Sequence, residues 1–266
     1  MPRTNTVARS LHDIGLAAWF GGSLMGAVGV NGAAAEAEAP SERSKIANAG
    51  WARWTPVNLA AIAAHLGGGV VLTKENKGRL AVQSGVGSTS ALKAALTGAA
   101  LVATGWSRVL GQKVMNAGTP PVQGATEPSE ATPDDVAAAQ RQLKALQWAI
   151  PALTGGNRGR VAAQAGVAQA SVLKTALSGA ALAATGYSRV LGQKVMNAGT
   201  PPVEGATEPG PATPDDVAGA QRQLKALQWV IPALTGALLV VNARMGEQQR
   251  PQSVVSGVLH RLNPAA

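Results

Sequence analysis

Uncharged apolar runs of helical length alternate with short charged segments along this chain. Residues 14–35 form 22 consecutive positions without a charge, and residues 55–73 form 19. A helix crossing a hydrocarbon core of about 30 Å needs about 20 mainly apolar residues. Both runs therefore predict transmembrane helices. A third run covers about 88–106, and its one internal charge, Lys93, lies near an end where the ammonium can reach the headgroups. The fourth helix starts at Thr132-Pro133-Asp134-Asp135. That motif offers a capping hydroxyl, a proline at the first helical position and two carboxylates at the positive end of the macrodipole. Polar turns with Gln140, Arg141, Gln142 and Lys144 precede its apolar part, and Pro151 predicts a kink.

The third and fourth runs then recur. Residues 79–154 align without a gap on 160–235 at an offset of 81, and 60 of the 76 positions are identical. A fixed internal period is the signature of a repeated architecture. Each copy reads as a two-helix membrane unit joined by a polar loop. The second copy places its spans at about 169–187, with Lys174 where the first has Lys93, and at 226–243. In the first copy the last apolar run, 143–156, stops before Asn157-Arg158-Gly159-Arg160, a sequence that mirrors Asn76-Lys77-Gly78-Arg79. At the helical rise that run reaches only about 21 Å. It predicts a helix cut short where the duplication joined, thinning the bilayer or re-entering it. The fold class is thus all-α, a polytopic membrane helix bundle of about six spans. Its divisions are 1–78, an N-terminal two-helix segment; 79–159 and 160–243, the repeats; and 244–266, a cytoplasmic amphipathic tail.

Loop charges set the orientation. Lys74, Lys77 and Arg79, then Arg158 and Arg160, then Arg244, Arg250 and Arg261, together with Arg3 and Arg9, mark one side. Under the positive-inside rule this is the cytoplasm, so both termini lie there, in a bacterial-type plasma membrane. The acids fall in the other loops: Glu36, Glu38 and Glu42; Glu127, Glu130, Asp134 and Asp135; Glu204, Glu208, Asp215 and Asp216. Trp51, Trp54, Trp106, Trp148, Tyr187 and Trp229 fall near the outer ends, as an interfacial belt would; Trp19 and Phe20 lie elsewhere. A cleaved signal peptide is the competing reading of the first run, from Arg3 and Arg9 ahead of it and Ala33-Ala34-Ala35 before Glu36. The run is longer than a usual signal core, which favours a retained span. In the tail, Val254, Val255, Val258, Leu259 and Leu262 share one helical face suited to the inner surface.

Composition sharpens this picture. Apolar residues make up 46%, much of it alanine, while aromatics are only 3%. A soluble core relies on large side chains, whereas small ones suit helices packed closely in a bilayer. The absence of cysteine excludes disulfides, thiolate catalysis and Cys-based metal sites. A net charge of +9 does not mark a nucleic-acid binder, because the basic residues are spread over short loops and form no patch.

Few residues carry candidate chemistry. No phosphate-binding loop, zinc-protease motif or nucleophile elbow occurs, and no span holds a carboxylate for a proton relay. The chain is expected not to be an enzyme. Rows of small residues at four-residue spacing, Ala18, Gly22 and Gly26 in the first helix and Ala91, Ala95, Ala99 and Ala103 in the third, are candidate packing faces. They serve packing within the chain or self-association with other copies. His65 lies in mid-span, where an ionisable side chain points to function. It could ligate haem or copper, or simply hydrogen-bond a neighbouring helix; Asn31 and Asn58 read the same way. His12 precedes the first span and His260 is in the tail, which leaves His65 without a mid-membrane partner. Arg108 and Lys113, with copies Arg189 and Lys194, follow the third helix on the outer side, against the charge rule. They are candidates for lipid phosphates or for pairing with Asp134, Asp135 and their copies. The stretch 107–122 is identical in both copies, while the Pro/Gly-rich loops around Thr119-Pro120-Pro121 and Thr200-Pro201-Pro202 predict extended, solvated chain.

Trp19-Phe20-Gly21-Gly22 resembles the Trp-x-Gly-Gly pattern of small multi-pass proteins related to copper-resistance protein D. Over these four residues the resemblance implies a four-helix membrane bundle and copper or haem handling, with His65 the one ligand candidate carried over. The Ala/Gly-rich, basic composition is similar to multi-pass membrane proteins of unassigned activity from high-GC actinobacteria. The expected function is a non-enzymatic accessory or scaffold subunit, with the bilayer and other membrane proteins as partners and no cofactor. A haem- or copper-binding redox protein using His65 is the second expectation, and a small-solute channel or carrier the third.

Overall fold

The computed structural model describes residues 5–75, 86–118, 122–162, 172–199 and 203–248. The 76–79 loop, the Thr119-Pro120-Pro121 and Thr200-Pro201-Pro202 segments, His260 and the tail expected over 253–262 lie outside these residues. Seven helices and two small hairpins are described, so the chain is all-α in character. It divides into two compact units, Val7–Gly166 and Val167–Ala266, the latter with Met1–Thr6. Among the described residues, three helical stretches are long and apolar enough to cross a membrane: Thr6–Ala35, Pro40–Glu75 and Asp215–Ala243.

In the first unit, α1 (Thr6–Met25) runs through a π-helical segment, Gly26–Val30, into α2 (Asn31–Ala35). A π segment inserts an extra residue and changes which side chains face inward; beyond it Asn31 and Ala34 are buried. The chain then turns into α3 (Pro40–Glu75), which begins 15 residues before the apolar run predicted a span. The first repeat follows as α4 (Val86–Asn116), a hairpin of β1 (Val122–Gly124) and β2 (Glu127–Pro128), and α5 (Asp134–Ala162). The second unit repeats these as α6 (Val172–Asn197), β3 (Val203–Gly205), β4 (Glu208–Pro209) and α7 (Asp215–Gln248).

The helices outrun the apolar runs because their polar ends are also good helix formers; bilayer length limits the span and leaves the helix free to continue. Two expectations change accordingly. As a helix, α5 continues past the end of its apolar run at Gly156, through 157–160 to Ala162; Pro151 lies inside it, as Pro232 lies inside α7. The Pro/Gly-rich loops are likewise not simply extended chain. Each folds back as an antiparallel hairpin, pairing Val122 with Pro128 and Val203 with Pro209, and Val122 and Thr126 are buried. Each preceding helix stops just before a glycine in the left-handed region, Gly118 (φ 80°) or Gly199 (φ 75°), where a side chain would be strained.

Within each repeat the two helices pack as an antiparallel pair. In the first, Leu110 and Val114 of α4 meet Val136 and Ala139 of α5, with Leu143 and Leu146 beside them. A second cluster joins this pair to the N-terminal helices: Leu16 and Trp19 of α1, Ala100 of α4 and Ile150 of α5, flanked by Ile62 of α3. The first unit is therefore a bundle of two helix pairs.

Candidate functional site

Two glycines let α1 and α3 touch backbone to backbone. A side-chain carbon on Gly15 would collide with the Ala61 carbonyl and the His65 backbone; one on Gly68 would collide with the Ala8 carbonyl and the His12 amide. Each glycine sits three residues after a histidine, one turn along its own helix. The arrangement is reciprocal: His-x-x-Gly faces His-x-x-Gly.

At that crossing the two histidines clasp. His12 Nδ1 lies 2.8 Å from the His65 carbonyl, and His65 Nδ1 lies 2.9 Å from the His12 carbonyl. The rings stack with centroids 4.0 Å apart, inclined by 20°. A carbonyl only accepts, so each Nδ1 carries the proton and each Nε2 keeps its lone pair. Trp19, fully buried, meets His65 edge-on at 6.3 Å and donates from Nε1 to Thr104 Oγ1 of α4 at 3.2 Å. The clasp corrects the expectation that His65 stands alone. α1 begins at Thr6, so His12 lies inside the helix and is the partner of His65. Asp13, Arg9 and Lys93 act electrostatically on this pair.

The clasp constrains cofactors. A porphyrin held by both histidines needs its plane between them, and rings stacked face to face leave no such gap. Among the described residues no group of three or more His, Asp or Glu could hold a metal ion. What the pair retains for a ligand is one lone pair on each Nε2, with the tautomer already fixed by the bonded Nδ1.

Nearer the acidic-loop end, polar side chains cross between helices. Trp51 Nε1 donates to Asn31 Oδ1 at 2.8 Å, and the amide of Asn31 donates to Gln147 Oε1 of α5 at 2.5 Å. Arg108 Nη1 donates to Thr55 Oγ1 at 2.7 Å, and Arg43 donates to the Ala37 and Gln123 carbonyls at 2.8 Å, tying the first hairpin to the α2–α3 corner. Asn31 is thus a helix-joining amide; Asn58 leaves its buried Oδ1 without a partner.

The packing candidates divide. Gly22 and Gly26 do lie in a contact, but against the indole rings of Trp54 and Trp51. These two tryptophans are accordingly half-buried, whereas Trp106, Trp148, Tyr187 and Trp229 are exposed. Ala95 and Ala99 are exposed, and the face of α4 that packs runs through Ala100, Ala103 and Thr104. The four-residue spacing fits two faces equally well in a helix this rich in alanine, and Lys93 and Arg108 do not separate them.

The lysines of the two repeats form the same ion pairs in both units. Lys113 pairs with Asp135 at 3.2 Å and Lys194 with Asp216 at 3.3 Å, each linking the two helices of one repeat. Lys144 pairs with Glu127 at 2.9 Å and Lys225 with Glu208 at 2.7 Å, holding each hairpin on its following helix. The Lys113 ammonium, by its hydrogen bond, holds the Asp135 carboxyl below its ordinary value, and Lys225 does the same to Glu208. Arg108, Gln112, Lys113, Asn116 and Asp135 line a shallow open groove, and Gln193, Lys194, Asn197 and Asp216 line its twin. On α5, Gln140 is fully buried with both amide atoms unpartnered, and in its copy Gln221 on α7 the buried Oε1 is unpartnered. No polar residue from the helix entries was singled out for burial in the sequence. No protein-family model matches this chain, and no curated protein or solved structure matches it.

Proposed function

We propose that this chain is a non-enzymatic, multi-pass membrane protein that acts as an accessory or scaffold subunit of a membrane assembly. The observation that carries this reading is the use of its interior polar groups. His12, His65, Trp19, Thr104, Trp51, Asn31 and Gln147 are joined to one another or to backbone across helices. Groups spent on helix association are not free for acid, base or nucleophilic work, apart from the Nε2 atom of each histidine. The full topology in this proposal has six spans with both termini cytoplasmic; α4, α5 and α6, at 31, 29 and 26 residues, have the length for it. The duplicated unit, holding an even number of spans, then gives two repeats of the same orientation. Gentle purification from native membranes, followed by mass spectrometry of what co-purifies, tests the role. A stoichiometric membrane partner is expected; a chain that purifies alone rejects the accessory reading.

The second reading, a haem or copper protein using His65, draws on the Nε2 lone pairs of the clasp. Its form is restricted to ligation from one side of the stacked pair. An absorption spectrum and copper analysis separate the two readings: a Soret band or bound copper lost in His65→Ala supports the second, and a colourless, copper-free protein the first. Liposome flux tests the carrier alternative.

A further inference from the structure

The face of the first repeat that seats the N-terminal helices is kept whole in the second repeat. In the first, Ala100, Thr104, Arg108, Gln147, Ile150 and Gly155 meet α1, the Asn31 amide or α3. Their copies are Ala181, Thr185, Arg189, Gln228, Ile231 and Gly236, identical at every position. Gln123 is replaced by Glu204, but there the first repeat uses only its backbone carbonyl, which the change leaves in place. One turn before Ala100, Thr97 is replaced by Ser178, which keeps the hydroxyl.

In the second unit, taken by itself, Thr185, Arg189 and Gln228 of that face are exposed, Ile231 and Gly236 are half-buried and Ala181 is buried. Thr154 is 1% exposed while its copy Thr235 is exposed; Pro151 is buried while Pro232 is exposed. Gln147 is half-buried beside Asn31, and Gln228 is exposed; Leu101 packs on the core, and Leu182 is 74% exposed. Lipid tails satisfy the apolar part of such a surface but offer no hydrogen bond to a carboxamide or a hydroxyl.

We infer that this face of α6 and α7 is a docking seat for a transmembrane helix pair of another membrane protein. The occupant of the identical face in the first repeat defines its chemistry. It presents an N–H donor of indole type to Thr185, a carboxamide to Gln228, a hydroxyl to Arg189 and an aromatic ring over Gly236. One N-terminal pair per chain fills the first seat and leaves the second for a partner. The inference rests on the accessory reading above and names the surface through which that role is exercised.

The test uses the full-length chain in its native membranes with a photoreactive amino acid at Ile231. A second chain carries it at Val190, which like its copy Val109 lies away from the seat. The expected result is one adduct from position 231 and none from 190. It contains a membrane protein of at least two spans, mapped to a helix pair with the donors named above. The adduct is lost when Thr185→Val and Gln228→Leu are added, two exposed positions whose substitution leaves the hairpin core of Leu191 and Val217 untouched. An adduct to lipid alone, to a second copy of this chain, or one indifferent to those substitutions overturns the proposal. A stoichiometric partner that co-purifies but is not captured from 231 also removes this seat while leaving the accessory reading standing. A chain that purifies alone removes both.

Discussion

Neighbouring glycines in α3 have opposite tolerances. A methyl group on Gly68 meets the backbone of α1, whereas one on Gly67 meets nothing within 4 Å. Gly68→Ala is therefore expected to destabilise the first unit by about 1–3 kcal/mol, as overpacking does, and Gly67→Ala to stay within about 0.5 kcal/mol of the parent. Thermal unfolding in detergent, followed by circular dichroism, checks this; equal effects at both positions would reject the backbone contact. Gln140 makes the converse case. A buried amide without partners costs about 1–3 kcal/mol of desolvation, so Gln140→Met is expected to be neutral or stabilising, and a clear loss of stability would reveal a hidden partner. The sequence displayed the small-residue rows but not which of them touch. His12-Asp13-Ile14-Gly15 and His65-Leu66-Gly67-Gly68 share a spacing that could have exposed the clasp. Asp13 and Arg9 made the first of these read as lying ahead of the helix, although a charge at a helix entrance is compatible with a buried face on its other side.

Elements show how bilayer length and helix length part company. Each apolar run overlaps a described helix, yet the runs missed the extra turns at most ends and the continuation of α5, because an apolar run stops where polar residues begin and a helix need not. The hairpins were hidden for another reason: their strands are two or three residues long, too short for an alternating pattern to register. The ion pairs that brace each repeat give it a defined response to acid. The Asp135 carboxyl is depressed by Lys113, so the pair's contribution is complete above the ordinary carboxylate pKa of about 3.9 and is lost as pH falls through the lower folded value. Lys113→Met should therefore raise the Asp135 titration toward its ordinary value by carboxyl NMR. The variant and parent should converge in stability in strong acid and show no pH-dependent difference between pH 6 and 8. A difference that grows between pH 6 and 8 would assign the effect to another group.

For the whole molecule, the absence of cysteine makes topology directly measurable. Single cysteines at Ala125 and Ala206 should react with an impermeant maleimide in intact cells, and one at Thr73 only after permeabilisation. Opposite results at 125 and 206 would reject parallel repeats. Loop charge gives the sequence an orientation to be tested, but the joining of the N-terminal helices to one repeat was not readable, since two near-identical repeats give a pattern no basis for preference. That identity predicts the outcome of deleting 79–159. The shortened chain should fold, with Asn31→Cys and Gln228→Cys forming a disulfide in place of the Asn31–Gln147 contact; a degraded or uncrosslinked product would deny the equivalence of the faces. In the intact chain, the choice between equal seats falls to the order of synthesis. The N-terminal pair emerges first and the first repeat next, and the matching part of the second repeat follows 81 residues later, a delay of roughly 4–16 s at about 5–20 residues per second. By then the N-terminal pair is already housed, so birth order, with no difference in affinity, would leave the later face to the proposed partner.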